Sequence, residues 1–304
     1  MLSRRALLVT PAAALAQAPD GAPLVETHIH LFAADQKAFP YHRNAVYRPE
    51  PAPLEDYLPA AAEAGITNVI IVHPEPYQDD HRYLEFCFAR EPSPLFFKGT
   101  CLFDPTDPDT PERMARLVEK HPKRIVALRI HCTRERGAPP TSSGPIRDRD
   151  LGHELVRHTI LAAHKLGLAI QFHITPPHVA QVHFLAAQFP RTTFLIDHLA
   201  RSGFGTPAEY AQALEMSFLP NVHMKYSGVS YSSRQEYPYR DVRPLVRQTF
   251  QAFGADRMLW GGLGKTIGEY RRNRALFDEM FAFTTEENRA KIRGGNAIRL
   301  FWMG

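Results

Sequence analysis

The sequence predicts an α/β protein, a single-domain (β/α)8 TIM barrel, and three observations predict it. Eight short apolar runs follow one another after Pro23, stretches of helical periodicity separate them, and histidines gather at the C-terminal ends of the runs. The runs are LVETHIHLF, NVIIVHP, FKGTCLF, IVALRIHC, LAIQFHI, TTFLIDHL, NVHMKYSGV and RMLWGGL. Short strands alternating with helical patterns signal βαβ units and a parallel sheet. Helical stretches are expected at Leu54 to Ala64, Thr110 to Lys120, Asp150 to Leu166, His178 to Gln188 and Asp241 to Phe253. Eight strands with crossovers in 304 residues suit a closed barrel better than an open sheet. A doubly wound sheet would carry a Gly-rich dinucleotide turn after its first strand, and LVETHIHLF is followed by none. With 44% hydrophobic and 22% charged residues, the chain can bury a large core, expected as one domain over residues 19–304.

Residues 1–18, MLSRRALLVTPAAALAQA, read as a signal peptide. Arg4 and Arg5 precede a short apolar stretch that ends in Ala14-Leu15-Ala16 and Ala16-Gln17-Ala18, the small residues of a cleavage site. The stretch is too short to span a bilayer, and the adjacent arginines point to twin-arginine export, so the mature protein is expected outside the cytoplasm. A frayed Ala-rich terminus is the alternative. The formal net charge of +4 falls to +2 without Arg4 and Arg5, which is no nucleic-acid footprint. No membrane span is expected. The expected partner is a small-molecule substrate, with a homo-oligomer left open. Cys87, Cys101 and Cys132 lack metal-ligand spacing and read as small buried residues in strands.

Barrel enzymes keep their chemistry at the C-terminal strand ends. There the sequence places His28 and His30 on the first strand, His73 on the second, Arg129 and His131 on the fourth, His173 on the fifth and Asp197-His198 on the sixth. A period of two puts His28 and His30 on one face, where two imidazoles are half of a metal site. The same period puts Glu26 on that face, either to support the pair from below or as a buried acid bonded to backbone. His73 or His131 alone could as readily hydrogen-bond a loop. Lys225 and Tyr226 must point to opposite faces, so only one looks inward. The long loop Asp35 to Pro51 is the expected lid, and Tyr231 to Asp241 a second wall with Tyr237 and Tyr239 available for stacking on a ring.

Six segments, VETHIHLF, IQFHI, FLIDHLA, NVHMKYSGV, FGADRMLWGG and RGGNAIRLF, resemble in order and spacing the landmarks of the amidohydrolase-related metal-dependent hydrolases. The resemblance covers nearly all of the chain after the leader. It implies a (β/α)8 barrel that hydrolyses a lactone, ester or amide of a small carboxylated or sugar-like compound. A decarboxylase on the same barrel is the alternative. It also implies one divalent metal ion, zinc first, held by His28, His30 and His173, with His198 assisting proton transfer. Arg129 often faces the site in such proteins, although here it could equally form an ion pair inside the barrel. With His131 and Lys265 it is assigned to substrate. VALRIHC offers no lysine for a bridged two-metal centre.

One segment departs from the pattern. LWGGLGKT, Leu259 to Thr266, ends like a nucleotide-binding P-loop, but Leu259 stands where that motif needs glycine. Gly268 also argues against a helix opening at the lysine. Relatives are expected to read WGSDWP here, so Leu263 replaces a metal-binding aspartate, and no carboxylate lies between Asp256 and Glu269. Three histidines can still hold zinc with an open position for water, which leaves His198 to act as base. A non-catalytic ligand-binding barrel is the third reading, argued for by Leu263 and against by the retained histidines.

Overall fold

A computed structural model describes residues 21–303, so the leader lies outside the described residues. Eight strands appear: β1 (Val25–Ile29), β2 (Asn68–Ile71), β3 (Phe97–Cys101), β4 (Ile125–Cys132), β5 (Ala169–Ile174), β6 (Phe194–Ile196), β7 (Val222–Ser227) and β8 (Met258–Gly261). They form one sheet in the order β1 to β8, with every adjacent pair parallel. Helices α1 (Leu54–Glu63), α2 (Arg82–Phe88), α3 (Thr110–Lys120), α4 (Glu154–Lys165), α5 (Val179–Gln188), α6 (Pro207–Glu215), α7 (Arg243–Phe253) and α8 (Ile267–Met280) fill the crossovers. This is a nearly closed (β/α)8 barrel. Side chains rather than a ladder join β1 to β8. Thr27 Oγ1 donates to the Trp260 carbonyl at 2.6 Å, and the Gly262 amide donates to Glu26 Oε1 at 3.0 Å.

Alternation along each strand sorts the core into two parts. Leu128, Ile130, Ile170, Phe172, Phe194, Ile196 and Met224 face outward and pack with the helices. Val25, Ala127, Ala169, Leu195 and Leu259 face inward and make a small apolar floor. The last helices, α9 (Glu286–Ala290) and α10 (Asn296–Phe301), follow, and α10 covers that floor with Ala297, Ile298, Leu300 and Phe301. The landmark RGGNAIRLF is thus the barrel's bottom plug, held by Asn296, whose Nδ2 donates to the Ala255 and Met258 carbonyls.

Three expectations need correction. A helix does open just after Lys265: Thr266 and Glu269 form a reciprocal capping box that starts α8, and this outweighs the cost of Gly268 in the first turn. Cys87 lies in α2, not in a strand, although all three thiols are free and buried. The register shifts between Glu26 and Ile29, so simple alternation fails on β1. Val25 joins the inner floor while Glu26 turns into the β1–β8 seam, where its Oε1 accepts the His28 amide at 2.7 Å.

Candidate active site

Two residues beyond the floor, the same inward ladder becomes polar. Ala127 is succeeded by Arg129, Ala169 by Gln171, Leu195 by Asp197 and His223 by Lys225, and all four polar side chains are 2% exposed or less. Asp197 is their common acceptor. Its Oδ2 takes Arg129 Nε at 3.2 Å and the same guanidinium's terminal nitrogen at 3.0 Å. Gln171 Nε2 reaches both oxygens at 3.0 and 3.1 Å, while Lys225 Nζ and His28 Nδ1 each lie 3.4 Å from Oδ1. Burial alone would raise the Asp197 carboxyl, yet Lys225, His28 and Arg129 together hold it well below the usual carboxylate range. Arg129 is therefore an ion pair inside the barrel, 3.5 Å from His28 Nε2. Of the β7 pair, Lys225 looks inward, whereas Tyr226 packs outward against Phe277 and Phe281.

Above this charged layer sits a contiguous patch of imidazoles. The His28 ring lies 5.1 Å from His30 and 4.6 Å from His198, His198 lies 5.0 Å from His173, and His173 lies 5.3 Å from His131. Burial keeps every one of them neutral, bringing His198 down to about 4 and His30 to about 3, with His28, His131 and His173 well below their ordinary value. His30 Nδ1 lies 2.7 Å from the Val72 carbonyl, a bond that puts its hydrogen there and its lone pair on Nε2. Both nitrogens of His173 are buried without a partner, as is His131 Nε2. Among the described residues, the compact metal-ligating group is His28, Asp197 and His198, with ligand atoms within 4.8 Å of one another, and His30 and His173 flank it.

His198 is aimed by an unusual backbone. Residues His198 to Arg201 all have left-handed angles, with φ between 52° and 56°, at a cost of roughly 1–2 kcal/mol each for residues with a Cβ. Ser232 Oγ donates to the His198 carbonyl at 3.1 Å and Ser202 Oγ to the Leu199 carbonyl at 2.7 Å, which tie the turn down. Gly203 permits the contact, since a Cβ there would fall 1.7 Å from the Ser232 carbonyl oxygen. The result places His198 Nδ1 3.0 Å from Ser227 Oγ. The glycines of LWGGLGKT have a similar purpose. A Cβ on Gly261 would lie 2.6 Å from that of His28, so β8 can close on β1 only with glycine there.

The rim partly follows expectation. Tyr47, on the loop after β1, stands near Arg129, and burial, partly offset by that arginine, pushes its hydroxyl up to about 12. In the second wall Tyr231, 4.9 Å from His198, is the aromatic that reaches the imidazoles, while Tyr237 packs with Tyr239 and Arg272 outside. Lys265 lies over the Phe32 ring at 5.1 Å. His73 stays apart from the patch, bonded through Nε2 to the Gln78 carbonyl at 2.9 Å and packed on His81. Sequence reasoning set Asp197 beside His198 at the end of β6 and left open whether Lys225 or Tyr226 looked inward, but gave neither Asp197 nor Lys225 a role. The available signal was parity, because each stands two places beyond an inward floor-end residue.

Comparison with known proteins agrees with this fold. The family model described as Amidohydrolase matches residues 25–302. The L-fucono-1,5-lactonase of Burkholderia ambifaria is 28% identical over 290 residues, covering 91% of this chain and 94% of that one. The 4-sulfomuconolactone hydrolase of Hydrogenophaga intermedia is 26% identical over 288 residues, covering 91% and 88%. An amidohydrolase from Burkholderia multivorans solved with bound zinc superposes with a TM-score of 0.72 at 16% identity, covering 93% of this chain and all of that one.

Proposed function

We infer the reaction from the premise that this chain belongs to the amidohydrolase family and is an enzyme of hydrolase type. We propose that it opens the ring of a lactone derived from a small carboxylated or sugar-like acid. The observation that carries this reading is the row of neutral, touching imidazoles at the mouth, His28, His30, His173 and His198, set directly on a buried guanidinium. The two curated relatives described above are named as a lactonase and a lactone hydrolase, which supports the bond chosen.

The residues fit one divalent ion. Unpartnered His173 nitrogens and a fixed lone pair on His30 are what imidazole ligands offer, and His28 completes the set expected from the sequence. Zinc suits such ligands and is the ion in the Burkholderia multivorans structure. Bound there, the ion would polarise the lactone carbonyl and acidify water. The chain's own groups do the rest. His198, neutral because burial holds it near 4, can accept the proton of the attacking water at Nε2, while Ser227 steadies Nδ1. Arg129 and Lys225 against the single carboxylate of Asp197 leave a positive potential that favours a carboxylated substrate. Tyr231, beside His173 and His198, offers a flat face to a ring.

A panel of sugar-acid and carboxylated lactones, followed by proton release, tests the proposal. Wild type should turn over at least one, and His198→Ala should lower kcat by about a hundredfold with metal content unchanged. Full turnover by His198→Ala, or no hydrolysis of any lactone, ester or amide offered, overturns it.

A further inference from the structure

Lys225 is the buried group that the proposed reaction employs only for its charge. Its ammonium has three hydrogens and three acceptors: the Thr27 carbonyl at 2.8 Å, His28 Nδ1 at 3.1 Å and Asp197 Oδ1 at 3.4 Å. Two of those acceptors are members of the compact ligand group His28, Asp197 and His198. The lysine's charge therefore stands where a cation bound by that group would draw on the same lone pairs.

The consequence for His28 is specific. A neutral imidazole has one hydrogen and one lone pair. Nδ1 stands between the Lys225 ammonium and Asp197 Oδ1, while Nε2 faces the donor-only Arg129 guanidinium at 3.5 Å, so a cation lies beside either nitrogen. Asp197 is likewise committed, its two oxygens shared among Arg129, Gln171 and Lys225. A divalent ion arriving at the inner group must displace an ammonium that has no other buried carboxylate within bonding distance among the described residues.

We propose that Lys225 sets the metal affinity of this site: its ammonium holds the inner cation position between His28 and Asp197, so that a divalent ion on His28, His30 and His173 is bound weakly and exchangeably. The proposal rests on the metal reading above and extends it to a residue outside the ligand set.

Lys225→Met keeps the length of the side chain and removes its charge and its hydrogens. Zinc affinity is measured by competition with a chromophoric chelator on the full chain, with no substrate present. Lys225→Met should bind zinc at least tenfold more tightly than wild type, and its melting temperature should rise more on zinc addition, because an ion bound only to the native state stabilises it. Lys225→Arg, which keeps a charge, should stay near the wild-type affinity. Lys225→Gln replaces the methionine variant if that one does not fold. Unchanged affinity in the uncharged variants overturns the proposal, and so does an equal gain in Lys225→Arg, since charge would then not be the cause. Because turnover on lactones is measured separately, failure of the hydrolase reading shows there and not in the zinc titration.

Discussion

The floor and the mouth of this barrel are built from the same strands, one step of alternation apart, yet they obey opposite rules. At the floor Val25, Ala127, Ala169, Leu195 and Leu259 meet α10 in an apolar plug. At the mouth Arg129, Gln171, Asp197 and Lys225 are just as buried, and each is there only because the others are. The floor is stabilised by area, and trimming it leaves a cavity of local cost. The mouth is stabilised by mutual satisfaction of charges, so removing one member strands the rest.

Cutting each region at its centre is the strongest way to test that contrast. Asp197→Ala leaves Arg129 and Lys225 buried without their shared carboxylate and should cost about 3–5 kcal/mol, the usual loss when one partner of a buried pair is removed. Leu259→Ala, at the floor, should cost about 2–5 kcal/mol by transfer and cavity terms. Rescue distinguishes the two losses. Replacing Arg129 and Lys225 by apolar residues in the Asp197→Ala background should restore stability measured by urea unfolding, whereas nothing at the mouth should rescue Leu259→Ala. If the triple replacement at the mouth stays as unstable as Asp197→Ala alone, the charges are not what hold one another.

Acid sharpens the comparison from another side, because burial of a neutral imidazole should act alike at either end. His73, beyond β2, and His223, at the floor end of β7, are each brought by burial down to about 4. The unfolded chain, with histidines near 6.5, then binds more protons between about pH 6.5 and 4, so stability is present above that window and lost as pH falls through it. Each group should account for about 2 kcal/mol of the loss between pH 7 and 5. Glu26, raised by burial to about 7, acts oppositely: its contribution is present below its unfolded value of 4.5 and is lost as pH rises through 7. His73→Gln and His223→Gln should each flatten the acid limb of urea midpoint against pH by a similar amount. A flattening confined to one of them would show that the two ends differ in burial and not only in chemistry.

Legibility in the sequence divides along the same line. Alternation is local, so runs such as IVALRIHC placed β4 at its observed ends and put Arg129 and His131 on the inward face. The helix Thr110 to Lys120 was equally plain. The partnership of Asp197 with Arg129 and Lys225 spans 68 and 28 positions and depends on which strands meet across the barrel. The bulge on β1 and the left-handed run from His198 to Arg201 were hidden for a different reason. Neither residue set favours that backbone, and the tertiary contacts of Ser232, Ser202 and Gly203 impose it on the run.

Leu263 gives the smallest effect and the sharpest test of how the mouth stores strain. It stands just past β8 with φ of 53°, half-buried, lining a cavity of about 220 Å³ with Tyr226, Tyr231 and Leu276. Leucine in that conformation costs roughly 1–2 kcal/mol that asparagine largely avoids. Comparing Leu263→Asn with wild type would mix that relief with the loss of a partly buried side chain. Comparing it with Leu263→Ala does not, because both variants lose the leucine contacts and alanine keeps the penalty of its Cβ. Leu263→Asn should therefore be more stable than Leu263→Ala by about 1 kcal/mol in urea unfolding. The same pair of substitutions at Leu195, in the extended backbone of the floor, should favour alanine because asparagine would bury an unpaired amide. Equal stability of the two Leu263 variants would mean that the loop relaxes its backbone once the leucine is gone, and that the strain belongs to the side chain's cavity rather than to the turn.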